Sequence, residues 1–459
     1  MKLSQNVTKL QHSTISTLVA VISVVGILAA PSFAYAESCN ALPPGSIQSA
    51  AQNFAAKISF TLAVAERRLA QCNYDVLVAQ RAYEASQADR VTAGQRPNPN
   101  LTIGASNINS RVGVGAGPIQ DKTIDSSLRL DQLVERGGKA ALREQQADAV
   151  IRAAHADWRD VIRQQRLQLR QNYFEQLYQQ TRITVQREFA KFAHEGLGAV
   201  ELRLKAGDIA PSEANRFRLD DARAQNDLRQ AEVDIRKARL EFAKSIGAVA
   251  AALNIVVEPV NYPGQEGLSA LLIPANLDQR ADIVAAAGRI EAAEAARALA
   301  TSIATRDVTL SAQFDRWPTS AVNQQGTGNS FSVYFSIPLS VRHANEGEVK
   351  RAAVDLDSAR DVLIRLRVQA LADADISLDG WRAAVERAAR VTQEVLPLAS
   401  EVARAAEFAY HNGATGVFDL LDARRILKQI ELDAAQANAD AGKAWALWSA
   451  NTELMTELK

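Results

Sequence analysis

The chain has 459 residues, of which 47% are apolar and 23% charged, so it is not a disordered chain. Lys+Arg and Asp+Glu both number 52, and this balance lacks the basic excess of a nucleic-acid binder. Two Cys, five scattered His, and no phosphate-binding loop, dinucleotide-binding glycine motif or nucleophile elbow point away from an enzyme, a resident metal or a cofactor.

Lys2 and Lys9 open the chain, and an apolar run follows from Ile15 to Ala30. Ala34-Tyr35-Ala36 is a small-x-small cleavage site, so residues 1–36 are expected to be a secretory signal peptide, leaving 37–459 as the mature protein. The apolar run is short for a membrane span. Cys39 and Cys72 then form a candidate disulfide, as suits an exported chain. A lipid anchor at Cys39 and two free thiols are the other readings of these residues.

Two repeats follow, over about 48–250 and 278–459, with a period near 206 residues. Each holds a strand pair, a long helix, a glycine-bearing tip and a returning helix. The strand pairs are expected near 98–135 and 305–340. Asn100–Ala105, Ser127–Asp131, Asp307–Asp315 and Ser330–Ile337 all alternate between apolar and polar residues. Such strands fit a transmembrane barrel, with lipid on one side and water on the other; a sheet half-buried on a soluble core is the alternative. Loops rich in Gly, Asn and Ser join each pair, over Asn109–Gln120 and Pro318–Asn329. Trp317 sits beside one strand end, a position that could join an aromatic girdle. Gly138 and Gly347 are read as equivalent turns after the strand pairs.

The hairpin tips are expected near 205–214 and 411–418, with Gly207 and Gly413 at equivalent positions. After the first, Phe217, Asp221, Ala224, Leu228, Ala231, Ile235, Ala238 and Phe242 step by 4 and 3. After the second, Leu420, Ala423, Leu427, Ile430, Ala434, Ala437, Ala441, Ala444 and Trp448 do likewise. This is a coiled-coil seam, rich in Ala so that helices approach closely. The helices alone would suit a soluble coiled-coil spacer. The strands decide otherwise: four cannot close a barrel, and open edges are not tolerated in lipid, so chains must pool their strands. A dimer would supply eight and a trimer twelve, and a channel wide enough for solutes prefers the larger number.

Together these features resemble the TolC-like outer-membrane efflux family. Arg96-Pro97-Asn98-Pro99-Asn100-Leu101 is similar to the run that leads into that family's first strand. Gln132-Leu133-Val134-Glu135-Arg136-Gly137-Gly138-Lys139 resembles the strand-to-helix turn of its heavy-metal branch, and Ser336-Ile337-Pro338-Leu339-Ser340 the matching turn of the second half. The resemblance implies a mainly α fold with a transmembrane β-barrel part, trimeric, with four strands per chain. It implies a passive duct through the outer membrane and into the periplasm of a Gram-negative bacterium. The partners would be two further copies, a periplasmic adaptor (membrane fusion protein), an inner-membrane RND pump and outer-membrane lipid. Heavy-metal cations are the implied cargo, with drug efflux or type I secretion on the same scaffold as the alternative. A periplasmic adaptor is a further reading, but adaptors lack this duplicated order.

The resemblance also assigns residues. Gly207, Asp208, Gly413 and Ala414 would be the adaptor-contact tips. Asp419 and Asp422, one turn apart, would ring the channel aperture. Tyr410, Glu213 and Ser212 would be gate contacts, and Thr415 stands where some relatives carry a gating Arg.

Overall fold

The computed structural model describes residues 58–106, 124–260, 276–317, 328–339 and 341–454. The expected signal peptide, Cys39 and the loops 107–123 and 318–327 lie outside them. The first half comprises β1 (Ile58–Phe60), α1 (Leu62–Cys72), α2 (Tyr74–Gly94), β2 (Asn100–Ser106), β3 (Asp125–Val134), α3 (Lys139–Ala206), α4 (Pro211–Ser245) and β4 (Ile255–Val257). The second comprises α5 (Ala281–Ser302), β5 (Val308–Trp317), β6 (Gly328–Ser336), α6 (Glu346–Arg390), α7 (Leu396–His411) and α8 (Val417–Thr452). Helix, strand pair, long arm, tip and returning helix thus occur twice in the same order.

The 68 residues of α3 run without a proline and are rich in Ala, Leu, Gln and Arg, all strong helix formers. At 1.5 Å per residue the helix is about 100 Å long. Propensity alone does not hold such a rod; α2, α4, α5 and α8 pack along it. The buried face of α4 carries Phe217, Ala224, Ala231, Ile235, Ala238 and Phe242, as the 4-and-3 spacing requires. Asp221, the charged member of that seam, lies 3.5 Å from His194 Nδ1 on α3. On α8 the seam residues Leu420, Ala423, Ala434, Ala437 and Ala441 are buried, and Ala439, Ala446 and Ala450 are buried as well.

The second arm is not one regular helix. A π-helical turn at Val391–Val395 joins α6 to α7, just before Pro397. A proline inside a helix has no N–H to donate, and a widened turn absorbs that defect. The arm from Glu346 to His411 thereby matches α3 in extent.

The start of each arm corrects one sequence pairing. α3 begins after Gly138, at φ 70°, and α6 begins after Asn345, at φ 64°. Asn345, not Gly347, is therefore the counterpart of Gly138; Gly347 lies inside α6. Each arm thus starts from a left-handed residue, and Asn tolerates that conformation better than other side chains.

Four strands form one antiparallel sheet in the order β2-β3-β5-β6. The expected pairs β2–β3 and β5–β6 are present, and β3 also pairs with β5, from Ser126↔Arg316 to Val134↔Val308. That contact welds the two halves. A second, two-stranded parallel sheet joins β1 to β4. The middle of α3 stitches it down. The Tyr173 hydroxyl donates to the carbonyls of Phe60 (3.1 Å) and Glu258 (2.6 Å). Gln180 donates to Val257 O (3.0 Å) and accepts from Val257 N–H (2.9 Å), as a neighbouring strand would. Burial pushes the Tyr173 hydroxyl up to about 12, so it stays a donor at any physiological pH.

Candidate functional site

The four-stranded sheet is inside out for a soluble protein. Ladder pairing sets Leu101, Ile103, Leu128, Leu130, Leu310, Phe314, Phe331, Val333 and Phe335 on one face. All nine are exposed, Ile103 at 76% and Phe331 and Phe335 at 71%. The opposite face carries Thr102, Ser127, Arg129, Asp131, Ser311, Gln313, Asp315 and Ser332, and several of these side chains bond to one another. Arg129 Nε donates to Asp131 Oδ1 at 2.8 Å and its Nη2 to Ser311 Oγ at 3.1 Å. Ser311 Oγ also donates to Asp131, and Gln313 donates to Asp315 at 2.8 Å. The Arg129 guanidinium lies 5.3 Å over the Tyr334 ring.

Trp317 belongs to the polar face, in step with Gln313 and Asp315, and its indole N–H donates to Ser330 Oγ at 3.2 Å. An aromatic girdle on the apolar face would therefore not include it. Side chains alternate with period two, and Trp317 falls on the odd side. Within the described residues, β2 and β6 are unpaired along their outer edges.

Where the sheet meets the helices, charges lock the halves together. Asp307 Oδ1 accepts from Lys139 Nζ (2.8 Å) and from the Arg136 N–H (2.9 Å). Lys139 is buried, at 8% exposed. Arg143 grips Glu135 with two bonds of 2.6 and 2.8 Å. Burial disfavours the Asp307 charge, yet Lys139 and the Arg136 N–H hold its carboxyl below the ordinary range. Its contribution to stability is present above the unfolded value and lost as pH falls through the lowered one.

At the far end of the arms stand the two tips. Gly207 ends α3 at φ 82°, and Asp208 N–H returns to Arg203 O at 2.9 Å. Gly413 follows α7 at φ 73°, and Ala414 N–H returns to Ala409 O at 2.9 Å. Both turns close on the same left-handed glycine geometry. Gly207, Asp208, Gly413 and Ala414 are all exposed. Beneath them, Phe189, Ala193, Phe217, Ala224 and Leu421 form one core, and the Phe217 and Phe418 rings meet at 5.0 Å. Arg425 on α8 reaches Asp220 on α4 at 2.7 Å, and Lys428 reaches Asp227 at 3.1 Å. Sequence reasoning missed these tip-to-tip ties. Their signal was a row of acids on α4 matched by bases on α8, which has meaning only once the helices are known to be neighbours.

Asp419 and Asp422 are both exposed. Asp419 accepts from Gly416 N–H at 3.3 Å, an end-capping role at the start of α8, and Asp422 lies 3.7 Å from Arg425. Tyr410 is half-buried with its ring 5.9 Å from that of His411. Among the described residues, no hydrogen bond joins Tyr410 to Glu213 or Ser212. Ser212 is exposed and Glu213 half-buried in the first turn of α4. Cys72 is buried at the end of α1; Cys39 lies outside the described residues. The sequence-assigned residues thus gather at the tips without forming an aperture within one chain.

Between α3, the π turn and α8 lies a groove of about 770 Å³, lined by Phe174, Val185, Thr392 and Leu396 and by two carboxylates, Glu188 and Glu431. Burial, with the Glu188 charge added, pushes the Glu431 carboxyl up. Among the described residues no cluster of three or more His, Cys, Asp or Glu could hold a metal ion, and no helix is long and apolar enough to cross a membrane.

No protein-family model matches the chain. It is 23% identical over 379 residues to the cobalt-zinc-cadmium resistance protein CzcC of Cupriavidus metallidurans, covering 81% of this chain and 85% of that protein. The solved structure of the outer-membrane channel OprN superposes with a TM-score of 0.66 at 21% identity, covering 85% of this chain and 89% of the other. CusC, solved in a study of folding and transmembrane channel formation, gives a TM-score of 0.66 at 16% identity, covering 86% and 92%. The chain has the fold of these outer-membrane channels, the fold that the resemblance of its motifs implied.

Proposed function

We propose that three copies of this chain form the outer-membrane channel of a tripartite exporter, and that the channel conducts solute passively, without catalysis. The observation that carries the reading is the reversed sheet: nine large apolar side chains point outward, and the hydrogen-bonded polar face points the other way. A wall with lipid outside and water inside needs that polarity. The outer edges of β2 and β6, unpaired among the described residues, call for further copies, since unpaired backbone groups in lipid are costly. Three chains supply twelve strands. The helical arms would then continue the duct about 100 Å into the periplasm.

The exposed tips are the surface a periplasmic adaptor would meet, and an inner-membrane RND pump would supply the energy. Heavy-metal cations are the cargo this reading favours. The support is the strand-to-helix motif around Gly137-Gly138 and the likeness to a cobalt-zinc-cadmium resistance protein. Drug efflux or type I secretion uses the same scaffold and is the second reading.

Asp419 and Asp422 are exposed in one chain, and around a threefold axis they would make a ring of six carboxylates that favours cations. Planar-bilayer recordings test this. The variant with Asp419→Ala and Asp422→Ala should lose block by divalent cations and much of its preference for cations over anions. Each single variant should be intermediate. Unchanged block and selectivity in the double variant would show that these residues face away from the pore.

A further inference from the structure

The end of the sheet that meets the helices carries more arginine than its ion pairs use. Strand ends converge there: β3 leaves at Val134 opposite Val308, where β5 begins, and β6 leaves at Ser336 opposite Thr309. β2 begins at Asn100, opposite Asp131. Just beyond these ends lie Arg96, Arg136, Arg306 and Arg342. Arg96 and Arg342 are exposed, and Arg136 and Arg306 stand at the junction itself. The backbone holds two of them in place. Gln132 Nε2 donates to Pro97 O at 3.0 Å beside Arg96, and the Arg136 N–H donates to Asp307.

The nearby acids are largely engaged. Asp307 is taken by Lys139, and Glu135 by Arg143. Glu346 accepts from the Ala344 N–H, and the carboxylates that remain are the exposed Glu348 and the half-buried Glu144 beside Gly94. No ion pair involves the four arginines among the described residues. Between them, Val134, Ile337, Leu339 and Val341 are exposed, the last two at 81% and 83%, and Val134 and Ile337 continue the apolar face of the sheet in step with Leu130 and Phe335.

We infer that Arg96, Arg136, Arg306 and Arg342 form a collar that binds the phosphate groups of anionic phospholipid where the barrel leaves the membrane. This inference rests on the channel reading above. Acyl chains would lie on the exposed apolar residues, while the guanidinium groups reach to the headgroup layer. An Arg side chain can do both at once, its stem on apolar surface and its charged end in polar surroundings. Its planar fork also pairs with two phosphate oxygens, which an ammonium cannot match.

The test uses the full-length mature channel in nanodiscs of equal phosphatidylglycerol and phosphatidylcholine, with the lipids retained on detergent release counted by native mass spectrometry. The wild type should retain phosphatidylglycerol over phosphatidylcholine by at least about threefold, as basic groups at an anionic surface would impose. That preference should weaken in about 0.5 M salt. The variant with Arg136→Gln, Arg306→Gln and Arg342→Gln should fall to near parity, with the oligomer mass and circular dichroism of the wild type. A control with Arg187→Gln and Arg229→Gln, exposed on the helical arms, should keep the preference. Parity in the wild type overturns the collar, and so does an undiminished preference in the triple variant. Displacement of the lipid by millimolar inorganic phosphate would also overturn it, in favour of a free-anion site. If the triple variant does not assemble, the wild-type ratio and its salt dependence still decide. Conductance in planar bilayers separates the two readings. Channels without lipid preference refute the collar alone, whereas absence of channels refutes the channel reading and the collar with it.

Discussion

Gly442→Ala sets two known effects against each other at the contact between α3 and α8. An added methyl would stand 2.4 Å from Cδ1 and Cε1 of Phe174 and 2.7 Å from its Cγ. Carbon atoms in good contact sit about 3.5–4.0 Å apart, so the ring would have to move by roughly 1 Å. It has little room, being 1% exposed, with Tyr173 edge-on at 6.1 Å and Trp445 at 6.3 Å. Overpacking of this kind costs about 1–3 kcal/mol. Replacing Gly by Ala inside a helix returns about 1 kcal/mol. The expected net is a loss of about 0–2 kcal/mol, and Phe174→Leu in the same chain should recover part of it. Denaturant titration of the detergent-solubilised protein, followed by circular dichroism over all four members of the cycle, measures both the loss and the coupling. Gly442→Ala stabilising by the whole helix-propensity gain, with no coupling to Phe174→Leu, would show that ring contact does not set the spacing of these helices.

At the tips, Gly207→Val or Gly413→Val should cost about 1–2 kcal/mol locally through the positive φ alone, since no atom of the described residues lies within 4 Å of an added Cβ. Faster amide exchange at the tip and lost export, with trimers intact, is the expected result, and normal export by both variants would exclude the tips as the docking surface. Glu431→Gln should raise stability at neutral pH by under about 1 kcal/mol, the group being partly exposed. A carboxyl whose folded pKa is raised loses stability as pH climbs from its unfolded value through the folded one, so the gain should vanish near pH ~4. A gain of the same size at both pH values, measured by thermal melts, would reject burial as the cause. Non-reducing peptide mapping of the mature protein should recover Cys39 joined to Cys72, and reduction should cost about 3–4 kcal/mol on the chain-entropy model. A lipid-modified Cys39 would rule this out.

Much of the architecture was legible because it is local. Period-two alternation marked four strands, and the 4-and-3 spacing marked the buried faces of α4 and α8. Gly207 and Gly413 marked the turns because only positive φ closes them. The candidate site was less legible. Asp419 and Asp422 were read as a pair from their spacing, but the cap that Asp419 places on Gly416 depends on where α8 begins. β1 and β4, at three residues each, are too short for any periodicity to register. The equivalence of Asn345 with Gly138 was hidden because two different residue types satisfy one left-handed backbone.

Periodicity tells which side chains share a face, and that much belongs to the sequence. It cannot tell what covers the face, because the covering element is distant along the chain. Only the tertiary structure brought β3 beside β5, Phe217 against Phe418, and Arg425 to Asp220. Only it showed that the nine apolar side chains of the sheet are all left exposed. Alternation is identical for a soluble sheet and a barrel wall; the difference lies in whether another element covers the apolar face, and among the described residues no helix packs extensively against this sheet.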